Sequence, residues 1–261
     1  MIVRFKGAWR LLPVLAIGGM LYASVLPPRA DFHRTYALPA NGHVVVQNLY
    51  GDVSITAWDR DEVLVEAVKR SSDPGRLDDA QIVVEPSSGG LSISTRYSGA
   101  DVGHLASVEY RITVPRAVSL DQVKLINGGL SISGVAGPVT ASAVNGSIKA
   151  EKLGGHADLS TVNGRLSADF NRISAANPIS LRSVNGPITL SIPSGAGATL
   201  NARNQSGGIE TEFGKATRGD GGQELHTRVN RGGAEIQVHN VNGGISIRGA
   251  LGKLAVCPRS W

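Results

Sequence analysis

The chain has 261 residues, 41% hydrophobic and 18% charged, so it can bury a core and is neither a disordered acidic tail nor a multi-span membrane protein. Its formal charge of +5 is concentrated at the start: Arg4, Lys6, Arg10 and Arg29 lie in the first 30 residues, which contain no Asp or Glu. The remainder is almost neutral and cannot release many counterions from a phosphate backbone, which argues against a nucleic-acid partner.

That basic start is followed by the apolar run Leu11–Leu26 and then by Pro27-Pro28. As a helix the run would span roughly 24 Å, short of the ~30 Å hydrocarbon core, which suits an export signal. Cleavage near Ala23 or Ala30 would place Leu21 or Pro28 where a small residue belongs, so an uncleaved anchor stays open. Residues 1–30 are therefore expected to be a signal peptide or N-terminal membrane anchor. The body is expected in the periplasm, the cell envelope or outside the cell, touching a membrane only through that segment if it is retained. Cys257 is the only cysteine, so there is no intrachain disulfide and no multi-cysteine metal site.

Residues 31–120 read as a strand-rich N-terminal part. Alternating runs occupy His43–Asn48, Val53–Trp58, Glu62–Lys69, Gln81–Glu85, Leu91–Tyr97, Val108–Val114 and Val118–Ile126, with turns at Asp73-Pro74-Gly75 and Ser87-Ser88-Gly89-Gly90. This part is expected to form irregular first coils that cover one open end of a stack.

From about residue 121 a unit recurs. Ile126-Asn127-Gly128-Gly129-Leu130-Ser131-Ile132 is followed by Val144-Asn145-Gly146-Ser147-Ile148, Val162-Asn163-Gly164-Arg165-Leu166 and Val184-Asn185-Gly186-Pro187-Ile188. Looser copies, at Gln205-Ser206-Gly207-Gly208-Ile209 and Arg231-Gly232-Gly233-Ala234-Glu235-Ile236, precede a full copy at Val241-Asn242-Gly243-Gly244-Ile245. Residues on both sides of each glycine alternate apolar and polar, so every unit supplies two strands. Asn-Gly between alternating runs is a hairpin signal and would give an antiparallel meander. Against that, the same apolar type returns at the same offset every 18–22 residues, as a coil requires if like residues are to stack. The expected fold is all-β: a parallel β-solenoid, or β-helix, with about 18–22 residues per coil over residues 121–250. Asn127, Asn145, Asn163, Asn185 and Asn242 would form a structural ladder at one corner, because Asn tolerates turn geometry and stacked amides can bond to one another. The tail, residues 251–261, would cover the far end.

These features resemble a known family. The exported leader, the opening Val44-Val45-Val46-Gln47-Asn48-Leu49-Tyr50-Gly51-Asp52-Val53-Ser54-Ile55 and the serial Asn-Gly-x-Ile/Leu units are similar to the bacterial putative-adhesin family of β-strand-repeat proteins, relatives of the head-GIN adhesin domain. The resemblance covers roughly residues 35–250 and implies an exported β-helical protein with no catalytic residues to carry over. The longer loop at Gly214–Gly222 and the short interval before Gly243 depart from the pattern.

The sequence contains no G-x-S-x-G elbow, Walker loop or H-E-x-x-H. His33, His43, His104, His156, His226 and His239 are scattered, without the i,i+4 spacing of a helical zinc site. Asp59, Asp61 and Glu62 form one acidic group and Asp78-Asp79 another; both read as charged turns rather than as Ca²⁺ or acid–base sites. Arg218-Gly219-Asp220-Gly221-Gly222 reads as a loop. No catalytic, cofactor or metal residue is assigned. The surface candidate is Arg182, Arg203 and Arg228, each on the outward parity of its strand, a column suited to anionic glycans or lipid headgroups. Asp158 and Ser142 are expected to share and dilute it. The function expected is an exported, non-catalytic, adhesin-like binding module for an envelope glycan, an anionic surface or a protein. The alternatives are a polysaccharide-active β-helix enzyme and an envelope scaffold that associates end to end.

Overall fold

The structure is a computed structural model and describes residues 29–98, 106–219 and 221–250. The leader up to residue 28, His104, Asp220, the tail and Cys257 lie outside the described residues. No helix among the described residues is long and apolar enough to cross a membrane.

The elements are strands, apart from one 3₁₀ turn at Pro74–Arg76. The N-terminal part contains β1 (Arg29–Ala37), β2 (His43–Tyr50), β3 (Val53–Trp58), β4 (Glu62–Arg70), β5 (Ala80–Ser87), β6 (Gly90–Tyr97) and β7 (Ser107–Pro115). The middle contains β8 (Ser119–Asn127), β9 (Leu130–Ser133), β10 (Val139–Asn145), β11 (Ile148–Leu153), β12 (Ala157–Asn163), β13 (Leu166–Phe170), β14 (Ile179–Asn185) and β15 (Ile188–Pro193). Then follow β16 (Ala198–Ser206), β17 (Ile209–Thr211), β18 (Thr217–Gly219), β19 (Gly222–Val229), β20 (Ala234–Asn242) and β21 (Ile245–Ala250).

Two sheets face each other. Sheet A runs β1-β4-β7-β3-β9-β11-β13-β15-β21-β17, and sheet B runs β18-β19-β16-β20-β14-β12-β10-β8-β2-β6-β5. Each middle coil lays one strand in sheet B, turns at Asn-Gly and lays the next in sheet A. Equivalent strands pair in parallel and in register, as in Val139↔Ala157↔Ile179 and Ile148↔Leu166↔Ile188. The fold is thus the parallel β-solenoid that the recurring unit requires. Its inward positions, among them Ala141, Ala150, Leu159, Ala168, Leu181 and Leu190, are all buried. With alanine at so many of them the two sheets can pack closely around a thin core.

Corner glycines are dictated by the stack. A Cβ on Gly146 would lie 1.8 Å from the carbonyl oxygen of Gly128, and one on Gly186 2.0 Å from that of Gly164. The offending atoms are backbone of the neighbouring coil, which cannot turn aside. Inward polar side chains just before the corner serve the same turns. Thr161 donates to Gly146 O at 2.9 Å, Asn204 to Gly208 O and Gly243 O, and Asn48 to Tyr50 O, Gly51 O and Val108 O.

Stacking order departs from chain order at both ends. In sheet A, β3 and β4 lie on either side of β7, β3 parallel to it and β4 antiparallel. In sheet B, β20 and β19 lie on either side of β16, again one parallel and one antiparallel. Each end is therefore closed by a hairpin whose arms straddle a third strand. Two consequences differ from the sequence reading. Within the irregular N-terminal part, β2 and β3 form a regular coil paired in parallel with β8 and β9. The last full repeat does not follow the looser ones but is inserted between β14/β15 and β16/β17. Gly232 and Gly233 are accordingly not an Asn-Gly-type corner. They belong to the opposite side, where the turn from β19 to β20 crosses the chain entering β16. There a Cβ on Gly197 would meet Gly232 O at 2.0 Å. The compressed interval before Gly243 is simply one strand, β20.

Candidate functional site

Because neighbouring strands of sheet B are in register, outward side chains line up in rows across it. Arg182 on β14, His239 on β20, Arg203 on β16 and Glu224 on β19 form one row. Ser180, Gln237, Asn201 and His226 form the next, two residues along each strand. The two rows line a shallow groove of about 430 Å³.

Both guanidinium groups are braced. Arg182 donates to Asp158 Oδ1 at 2.9 Å, and Arg203 Nε lies 3.2 Å from Glu224 Oε1. His226 Nδ1 donates to Asn201 Oδ1. Gln237 is tied to Glu235 at 2.9 Å. The His239 ring, between the two arginines, makes no hydrogen bond among the described residues. An arginine carries five N–H donors in a fixed fork and spends one or two on its carboxylate, so unspent donors remain. Beside the Glu224 carboxylate the groove presents two guanidinium cations, amides and a hydroxyl, donors that suit an oxygen-rich anion.

The structure brings Arg182 and Arg203 into one row but not Arg228, which pairs with Thr199, four residues away along β19. Ser142 shares the Arg182 row through Ser160. Asp158 stands in the neighbouring row beside Ser180 and reaches Arg182 diagonally. His239 and Glu224 were missed in the sequence because their places depend on β20 and β19 flanking β16. The alternation Gln237-His239-Val241 did mark His239 as outward.

Most of the remaining candidates have structural partners. Asp59 receives Arg116 at 2.8 and 3.1 Å, and this hydrogen-bonded guanidinium holds its carboxyl below the usual carboxylate range. Glu62 pairs with Arg60, which also lies over the Trp58 ring. Asp79 lies 4.0 Å from Arg76. Arg218 and Gly219 belong to the β18–β19 hairpin. His43 bonds Asp121 at 2.9 Å and His33 bonds Glu66 at 3.2 Å. No group of three or more metal-ligating side chains occurs among the described residues. At the corner, Asn145, Asn163, Asn185 and Asn242 each donate Nδ2 to the Oδ1 of the asparagine one coil back, at 2.9–3.0 Å.

Residues 38–248 match the Toastrack DUF4097 family, and the chain belongs to it. Comparison with curated proteins gives no match. Among solved structures, the chain is similar to a putative cell adhesion protein from Clostridium sporogenes ATCC 15579, with 13% identity over 85% of this chain and 100% of the other at a TM-score of 0.46. It is similar to a putative adhesin from Bacteroides fragilis NCTC 9343, with 11% identity over 86% and 99% at 0.43. A putative lipid binding protein from Parabacteroides distasonis ATCC 8503 matches at 11% identity over 85% and 97%, with a TM-score of 0.33.

Proposed function

We propose that this Toastrack-family chain is a non-catalytic protein of the cell surface or envelope that holds an anionic, oxygen-rich partner against the outer face of sheet B. The observation that carries the reading is the groove in which Arg182, His239 and Arg203 stand side by side with Asn201, Gln237 and Ser180. Asp158 and Glu224 fix the two guanidinium groups before any ligand arrives, so little side-chain entropy is lost on binding. The strands beneath are held on both sides, and the spacing of the donors is set by the sheet. A polymer laid across the rows would make several weak contacts at once. Glu224, which lines the groove, and Asp158 beside it are engaged by guanidinium groups, and Glu235 accepts from the Gln237 amide, which supports a binding role over proton transfer.

The test is binding of the purified protein to an array of neutral and anionic oligosaccharides, followed by calorimetry on any hit. The double variant Arg182→Ala/Arg203→Ala is expected to weaken binding about ten- to hundredfold, the worth of lost hydrogen bonds to a charged group. Arg228→Ala should leave it unchanged, and raising the salt should weaken the wild type. Equal binding by the double variant would refute the assignment of the groove. Release of new reducing ends during the incubation would refute the non-catalytic reading, and recovery of the mature protein from the cytoplasmic fraction would refute the envelope location.

A further inference from the structure

The Asn-Gly corners carry a reactivity that the stack controls unevenly. In an Asn-Gly pair the glycine nitrogen can attack the asparagine side-chain carbonyl, because no Cβ shields it. The bond from N to Cγ forms, the bond from Cγ to Nδ2 breaks, and Nδ2 leaves as ammonia with the proton the glycine nitrogen gives up. Solvent water then opens the resulting succinimide to an aspartyl or isoaspartyl residue. Nothing is oxidised or reduced, and the chain gains about one mass unit. The reaction needs the glycine N–H released, the side chain free to rotate and the amide nitrogen free to depart.

Here the fold ties these groups down. Gly128, Gly146, Gly164, Gly186 and Gly243 each donate N–H to a carbonyl of the next coil, those of Asn145, Asn163, Asn185, Asn242 and Ser206. The amide nitrogens of Asn145, Asn163, Asn185 and Asn242 are each spent on the coil before. Asn127 is different. The residue beside it in the preceding coil is Tyr50, which offers no amide, and among the described residues Asn127 Nδ2 donates no hydrogen bond. Its Oδ1 still accepts from Asn145 at 3.0 Å, which draws electron density from Cγ and favours attack there. Its neighbour Gly128 also has the longest of the five backbone bonds, at 3.1 Å.

We propose that Asn127 is a site of spontaneous deamidation in the folded protein and that the amide ladder protects the four asparagines stacked on it. The product carboxylate at residue 127 would arise near Asp52, which already accepts Gly129 N–H at 2.7 Å, so conversion adds like charge at that corner.

The experiment is peptide mapping by mass spectrometry, with isoaspartyl-specific methylation as a second readout, after mildly alkaline incubation of the full chain, folded and in denaturant. In denaturant all five corners should convert at similar rates. In the folded chain Asn127 should convert about tenfold faster than Asn145, Asn163 or Asn185, the rate factor expected from one hydrogen bond. Asn145→Ser moves the free ladder end, so Asn163 should speed up about tenfold. Asn145→Asp keeps an acceptor for Asn163 and should leave it slow. Equal rates at Asn127 and Asn145 in the folded wild type would overturn the proposal. So would an unchanged Asn163 in a folded Asn145→Ser. If that variant does not fold, the wild-type profile and Asn145→Asp decide, since a fast Asn163 in the latter contradicts protection by the ladder.

Discussion

Between β8 and β15 the chain climbs one coil at a time, and every strand pairs with its equivalents in the coils before and after. At the two ends the chain overshoots, adds an outer strand and returns. β7 is gripped by β3 and β4, and β16 by β20 and β19. The middle is held by contacts between nearest neighbours, so its stability is close to a sum over coils. The ends are held by strands brought together from far along the sequence, such as Asn48 and Val108, joined by a 2.8 Å hydrogen bond. A plain stack would leave four open sheet edges. This arrangement leaves short strands or a proline at three of them, β17, β18 and β5 with Pro86, which blunts further pairing.

Glycine substitutions separate the middle from the ends most directly. Gly146→Ala drives a methyl group into the backbone of the coil before it and is expected to cost about 3 kcal/mol, read from urea unfolding. Gly197→Ala makes a similar clash at the crossing beneath β16 and should cost about 2 kcal/mol, because an end can open without the middle. Hydrogen exchange separates the two: loss of protection confined to β16–β21 in Gly197→Ala, and spread through the middle in Gly146→Ala. Equal and global loss in both would mean that the ends are not separate units.

A smaller effect is confined to the N-terminal end. Burial pushes the Tyr97 and Tyr110 phenols up to about 12. Thr95 donates its only hydroxyl proton to Asn48 Oδ1, so Tyr110 donates to Thr95 at 2.8 Å and must stay protonated to do so. A raised folded-state value means that this stability is complete below the ordinary tyrosine value of 10.0 and is lost as pH rises through about 12. Protection of β5–β7 should therefore fall with alkali before that of β10–β15, and Tyr110→Phe should reduce the alkaline sensitivity. The smallest effect is at Asp59. Its folded-state value lies below 3.8, so the stability from its pair with Arg116 is present above that value and fades as pH falls. Asp59→Asn should lower the melting temperature slightly at neutral pH and not in acid.

What could be read from the sequence was whatever repeats locally. Asn127, Asn145, Asn163 and Asn185 sit at fixed offsets from strands of period two, and both coil and corner follow from that. Pairing over distance leaves no such trace. Alternation in Val53–Trp58 marks a strand but does not say that Ser107–Pro115 will lie beside it. Gly232-Gly233 followed by Ile236 imitates a corner unit, and only the single strand length to Asn242 shows that it belongs to the other side. The groove was half legible for the same reason. Arg182 and Arg203 show outward parity, yet their common neighbour His239 comes from a strand inserted out of turn, and Arg228 falls outside the row because β19 runs antiparallel.

The straddled strands also set an order of assembly. As the chain emerges from its N-terminus, β2 and β3 have no partners in the stack until β6 to β9 have appeared, whereas each middle coil can settle on the one just formed. The open face of β14 and β15 then waits for β20 and β21, which enter as a wedge with β16 and β17 already made. A chain made in this order is exposed longest at its first and last coils, and those are the segments a folding helper would have to shield.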